Sequence, residues 1–430
     1  MGFGLIPDFS PMVSDRKEQL LSFLTRRTTI YGLFALLALV ATAQQLASKV
    51  TFIEDGPHYN RYNNYTIFER SWDHLCTDQD LYAWYTDEHW DLFKYTPTFA
   101  VLMAPFSSLP DWLGLSLWNL LNALLLVFAV FRIPGLSNRQ WAWALLIAAL
   151  EMMTSLQNAQ SNGLMVGLLV LAFAELERGK HWLPSLLVLL SVVVKLFGVM
   201  GFLLFLMYPG KWKFALATMV QLAALAALPL LVVDIDQYQF LLESFGRMLA
   251  EDHTTSYGYS LMGILHTWFG SHPDKLIVVG LGAVLMVTPV LFRSRWTSTT
   301  FRMHVFCALL LWLLVFNHKS ESPTFIIAMA GVGLWYTTAI RTKWNVALLV
   351  FALILTSLSP TDLFPRGLRE SYVNPYAGKV LPIVVLWCVL LVRLLLWREA
   401  PQGPLPTTSV RTGRSLRRAM RNTQRRPSAR

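Results

Sequence analysis

Runs of apolar residues long enough to cross a bilayer recur along most of this 430-residue chain, and they leave few folds open. A hydrocarbon layer about 30 Å thick needs roughly 20 apolar residues in one helix. Candidate spans fall near 29–48, 113–132, 139–154, 161–177, 213–233, 275–292, 301–316, 323–340, 343–358 and 380–397. The runs are nearly continuous rather than alternating. In lipid only helices and closed barrels satisfy every backbone polar group, so an all-α polytopic membrane protein is expected. The charged fraction agrees: it is 14% here, against about 25% in soluble domains. The first run, Thr29 to Leu46, ends without a small-residue cleavage site and reads as a retained span.

The stretch 182–208 is apolar, but it is flanked by Arg178 and Lys180 on one side and Lys211 and Lys213 on the other. Short basic flanks belong on the cytoplasmic side. Both ends therefore want the same side, and the stretch reads as two half-spans turning near Lys195. That brings the expected count to about twelve, short or re-entrant helices included. Lys17, Arg26 and Arg27 place the N-terminal segment 1–28 inside. The connections carrying Arg132, Arg139, Arg293, Arg295, Arg302, Arg341 and Lys343 follow. Outside fall 51–97, 155–160, 234–273, 317–322 and 359–379. The segment 398–430 reads as a disordered, arginine-rich inner tail that contacts anionic lipids. No folded module accompanies its arginines, so nucleic acid is not an expected partner.

The polar residues are concentrated in the first outer loop, taken as 51–112. Between Thr51 and Pro97 it holds nine carboxylates, three histidines, six tyrosines and three tryptophans. Thr98–Pro110 is too short to span, and Pro105 is expected to interrupt it where it skirts the membrane. Tyr62, Asn63, Asn64 and Tyr65 carry donors, acceptors and ring faces suited to sugars, as does His89. Asp91 could serve as a general base, with Lys94 three residues on. A second cluster, Asn317 to Pro323, offers His318 and Lys319 to a phosphate and Glu321 as another carboxylate. A third places Gln157, Gln160 and Asn162 between two spans, where amides fix ligands or bridge helices. Lys195, an ionisable group near membrane depth, is a functional candidate by default. Each cluster also has a plain structural reading: an interfacial aromatic belt, a snorkelling connector or helix caps. Cys76, Cys307 and Cys388 are too scattered for a disulfide framework or a zinc site. No phosphate-binding loop, dinucleotide fingerprint or H-E-x-x-H motif is present, which argues against a nucleotide-driven pump or a zinc protease.

Tyr62-Asn63-Asn64-Tyr65, Leu81-Tyr82, Lys94-Tyr95-Thr96-Pro97, Pro105, Leu109-Pro110 and Trp118-Asn119 together resemble the early half of glycosyltransferase family 87. Gln157 to Asn162 is similar to that family's Gly-Gln-x-Asn-type segment. Ser260 to Gly263 looks like its serine-containing turn, and Asn317-His318-Lys319 falls where the family places a loop histidine. The resemblance covers roughly residues 30–395. It implies a GT-C-type fold with a large first extracytoplasmic loop, in the cytoplasmic membrane. The implied reaction moves a sugar, often mannose, from a polyprenyl-phosphate donor to a lipid or glycan hydroxyl, inverting, with no metal and no cofactor. The implied domain is 29–397. Lys94, Lys195, His318 and Lys319 would then hold the donor phosphate. Tyr62, Asn63, Asn64, Tyr65, His89, Gln157, Gln160, Asn162 and Ser260 would shape the sugar and acceptor sites. The family commonly has Asp early in the loop, where this chain has Asn64. The base duty passes to Asp91, then Asp55, then Glu321. The competing classes are a flippase or transporter of lipid-linked sugar and a non-catalytic envelope assembly protein.

Overall fold

The computed structural model describes residues 18–19, 21–48, 51–52, 58–252 and 256–397, with the side chains of Thr51, Phe52 and Asp252 left aside. Residues 1–395 cluster as one unit; of Leu396–Arg430, a second, only Leu396 and Trp397 are described. The arginine-rich tail and Asp55 therefore lie outside the described residues.

Helices dominate. Three of them are apolar on every side and occupy the centre, as all-round hydrophobic helices must. These are Asn162–Glu177, Thr299–Val315 and Phe325–Thr338, buried over nearly their whole length. Around them pack Arg27–Ala47, Asp111–Arg132, Asn138–Gln157, Trp182–Val194 and Leu381–Leu395. Among the described residues, four helical stretches have the length and composition to cross a membrane unaided: Arg27–Ala47, Asp111–Arg132, Lys211–Leu231 and Gly378–Leu395. Shorter apolar helices, among them Trp182–Val194 and Leu196–Met207, stand between. The break between those two falls at Lys195, in extended backbone, where the opposed basic flanks placed it.

Close approach uses missing side chains. A Cβ on Gly167 would lie 3.0 Å from the Leu126 amide nitrogen, and one on Gly333 2.3 Å from the Ala144 carbonyl oxygen. Such small-residue contacts let helices pack where lipid supplies no hydrophobic drive between them. Polar pegs then fix register. Asn119 donates to Thr42 at 3.0 Å and Gln45 at 3.2 Å, the Leu164 amide donates to Asn122 at 2.7 Å, and Trp118 donates to the Ala159 carbonyl at 2.9 Å.

At one end of the bundle the basic connections meet buried carboxylates. Glu175 takes Arg132 at 2.6 Å and Lys180 at 2.8 Å. Glu177 accepts from Nε and Nη2 of Arg302, at 2.6 and 2.7 Å, and from the Tyr208 hydroxyl at 2.5 Å. The polar segments predicted to share the other side gather at the other end.

The first loop differs from the sequence expectation in two ways. It contains a helix, Asn63–Cys76, preceded by a two-residue antiparallel pairing of Thr51–Phe52 with His58–Tyr59. Pro105 does not interrupt the following segment, because Pro97–Ser107 is one helix. A proline only nine positions in costs just the hydrogen bond at the last turns, near where the helix stops anyway. Two more helices went unread, Ile235–Asp252 and Leu261–Phe269.

Glu69 is buried on the Asn63–Cys76 helix. Burial, reinforced by the Asp111 carboxylate, pushes its carboxyl up to about 7. A group that holds its proton more tightly when folded stabilises the native state below its unfolded pKa. That contribution is lost as pH rises through the folded value. Glu69→Gln should therefore raise Tm over wild type at about pH 8, the gap closing toward about pH 4. Thermal unfolding across that range checks the sign.

Candidate active site

The turn at 87–96 is not helical, yet it brings Asp91 and Lys94 together at 2.8 Å. Asp91 sits at φ 134°, a region that side chains avoid. Its neighbours hold it there. The Leu92 amide donates to its carboxylate at 2.8 Å. His89 donates from Nδ1 to its carbonyl at 3.0 Å, since a carbonyl can only accept. Burial lowers the His89 imidazole pKa, and the Asp91 carbonyl contact opposes that shift. Asn63 brackets the preceding residue, accepting from the Trp90 amide at 2.9 Å and donating to the Trp90 carbonyl at 3.3 Å. Strain of this kind persists only where the surroundings over-determine it, and it clusters at functional sites.

The 317–323 connector is equally constrained. Asn317 turns the chain by accepting the Lys319 amide at 3.0 Å. Ser320 donates to the Leu314 carbonyl at 3.0 Å and its own carbonyl accepts the Tyr259 amide at 2.8 Å. Gly258, at φ 50°, lies so close that a Cβ would stand 2.7 Å from the His318 and Ser320 carbonyl oxygens. From beneath, the buried ammonium of Lys379 donates to Ser322 Oγ at 2.7 Å and pairs with Glu151, also buried, at 3.1 Å.

These segments enclose a cavity of roughly 400 Å3. Its charged lining is Asp91, Lys94, Lys195, His318, Lys319, Glu321 and Lys275. Asn64 and Gln160 add amides, and the buried Gln160 Oε1 has no hydrogen-bond partner among the described residues. Lys195 donates to Asn162 Oδ1 at 2.8 Å, so Asn162 orients an ammonium rather than lining the space itself. The lining also includes apolar side chains, among them Leu196, Phe197, Met248, Leu276, Trp312 and Phe316. Leu276 is 78% exposed.

The remaining expected site residues stand elsewhere. Tyr62 donates to Asp111 at 2.7 Å, and Tyr65 is fully buried against Gly114. Gln157 donates to Gln44 at 2.8 Å. Ser260 caps the Leu261–Phe269 helix, its hydroxyl accepting the Gly263 amide at 3.2 Å. His89 and Asn63 act on the backbone around Asp91. Lys275 and Trp312 were not singled out from sequence. Each sits within or beside an apolar run, where a lysine reads as a flank and a tryptophan as core.

The molecule is thus an integral membrane protein with a cavity lined by both charged and apolar side chains. A profile of glycosyltransferase family 87 matches residues 93–317, more than half of the chain. The chain belongs to that family and is a membrane glycosyltransferase. No curated protein matches it. Among solved structures, the crystal structure of ArnT from Cupriavidus metallidurans bound to undecaprenyl phosphate is similar at 14% identity. That match covers 85% of this chain and 77% of the other, with a TM-score of 0.41, a loose likeness of backbone.

Removing one partner of a buried ion pair leaves a bare charge. Lys379→Met should cost about 3–5 kcal/mol of stability, while the double change with Glu151→Met should recover most of it. Denaturation of the three proteins in the same bilayer mimic checks this.

Proposed function

We propose that this chain transfers a hexose, mannose-like, from a polyprenyl-phosphate donor to a lipid or glycan hydroxyl at the outer face of the cytoplasmic membrane, with inversion. The carrying observation is one cavity lined both by Lys94, Lys195, His318 and Lys319 and by apolar side chains. That combination suits a ligand with a phosphate at one end and hydrocarbon at the other. The carrier named with ArnT is of the same kind. The clustering of basic connections at one end supports a GT-C-type arrangement with the termini inside, about twelve helices and residues 29–397 as the catalytic domain.

The reaction is one displacement. The acceptor oxygen attacks the anomeric carbon from the face opposite the phosphate. The carbon–oxygen bond to phosphate breaks, and its electron pair leaves with polyprenyl phosphate. A carboxylate takes the hydroxyl proton as the new bond forms. Cationic side chains already aimed at the phosphate stabilise the charge that grows there. Among the described residues Asp91 and Glu321 border the cavity, while Asp55 completes the set of candidate bases. Asp91 remains the first assignment, held by strain at the cavity edge. Its ion pair with Lys94 would have to loosen for it to accept a proton.

Purified protein given a polyprenyl-phosphate mannose should release polyprenyl phosphate. A flippase or an assembly protein would leave that bond intact. In the series Asp91→Asn, Asp55→Asn and Glu321→Gln, the base is the position whose amide lowers turnover by about 10²–10⁴-fold while donor binding persists. Full turnover in Asp91→Asn removes Asp91 from that role.

A further inference from the structure

The end of the bundle remote from the cavity carries a side-chain cluster that the reaction leaves unused. Segments 208–211 and 293–302 meet there. The helix Thr299–Val315 runs from this corner toward the 317–323 connector, so about 25 Å separates the two ends at 1.5 Å per residue.

Trp296 is the centre of the cluster. Its indole Nε1 donates to the Val290 carbonyl at 2.8 Å, which fixes the ring, and its own carbonyl accepts from Arg302. The Lys211 ammonium lies 4.7 Å from the ring centre and the Arg293 guanidinium carbon 5.9 Å. Both fall within the roughly 6 Å at which an indole attracts a cation. One ring thus gathers two exposed cations. Their charge is not balanced locally. Glu177 is taken by Arg302 and the Tyr208 hydroxyl, and Glu175 by Arg132 and Lys180. Among the described residues no carboxylate pairs with Lys211 or Arg293. Two like charges at one ring repel, and an anion between them turns that repulsion into attraction.

Apolar surface borders the same spot. Leu291 and Phe292, 68% and 40% exposed, directly precede Arg293, and Trp212, 68% exposed, directly follows Lys211. Cations level with exposed hydrocarbon at a helix end match the edge of a bilayer, where a phosphate sits above its acyl chains. The arginine-rich segment after Trp397 carries the same sign as the cluster, so it is no counter-ion for it.

We propose that Lys211, Arg293 and the Trp296 ring form a site for one anionic phospholipid. The phosphate lies between the ammonium and the guanidinium, and the acyl chains run along Leu291 and Phe292. An occupied site ties the start of the Lys211–Ala227 helix to the 293–302 connection. Arg295 in that connection donates to the Leu394 and Leu395 carbonyls at 2.6 and 3.2 Å, so the tie extends to the Leu381–Leu395 helix.

Native mass spectrometry of the full chain in non-ionic detergent reads the lipid retained when dioleoyl phosphatidylglycerol or dioleoyl phosphatidylcholine is added. Wild type should hold one phosphatidylglycerol about tenfold more strongly than phosphatidylcholine. Lys211→Gln/Arg293→Gln should abolish that preference, and each single change should lose part of it, which keeps the comparison open if the pair does not fold. Lys211→Arg/Arg293→Lys, which keeps both charges, should retain it. So should Arg341→Gln/Lys343→Gln, within about twofold. That pair removes the same charge after the Phe325–Thr338 helix, which also leads away from the 317–323 connector, and neither cation there meets an aromatic ring among the described residues. Thermal unfolding in phosphatidylcholine alone should give every variant the wild-type midpoint. Added phosphatidylglycerol should raise it in all but Lys211→Gln/Arg293→Gln. Equal retention of the two lipids by wild type overturns the proposal. Equal losses in the two glutamine pairs also overturn it, because net charge alone then governs binding. Full displacement of the lipid by inorganic phosphate overturns it too, by making this a site for the free anion.

Discussion

A lysine and a glutamate buried together hold the working end of this protein in register. Lys379 comes from the last connection and is 3% exposed; Glu151 stands six residues before the end of the Asn138–Gln157 helix and is fully buried. Neither charge belongs in an apolar bundle alone, so each enforces the presence of the other. The same ammonium reaches Ser322, and the Lys379 carbonyl accepts the Thr356 hydroxyl at 2.8 Å. One ion pair thereby ties three distant stretches of chain to the connector that carries His318, Lys319 and Glu321. The buried pairs at the opposite end, around Glu175 and Glu177, follow the same rule. Between them the helices supply apolar surface, and the ion pairs decide which face meets which.

Much of this was legible in the chain. Opposed basic flanks around 182–208 required a reversal, and the backbone breaks at Lys195. Asp91, Lys94, His318 and Lys319 stood out because charges are rare next to apolar runs, and they share one cavity. The misses have physical causes. Ile235–Asp252 alternates polar and apolar residues with no long run, so a search for spans passes over it. Lys275 reads as a helix flank because the Tyr257 ring it meets and the Glu321 it shares a cavity with lie in other segments of the chain. Asn63, Gln157 and Ser260 looked like ligand groups, since a side-chain amide or hydroxyl reads the same whether it meets a sugar or a backbone. Only the fold shows that Trp90, Gln44 and a helix start already occupy them.

Leu276 both lines the cavity and is largely exposed, beside the apolar wall formed with its neighbours Leu196, Phe197 and Phe316 in the same lining. A ligand whose tail lies along that wall would pass from hydrocarbon to hydrocarbon, with no aqueous step. Capture would then be a search in two dimensions. Its strength would be set by the mole fraction of the ligand in the bilayer rather than by any concentration in water, and by what the surrounding lipids offer the same tail.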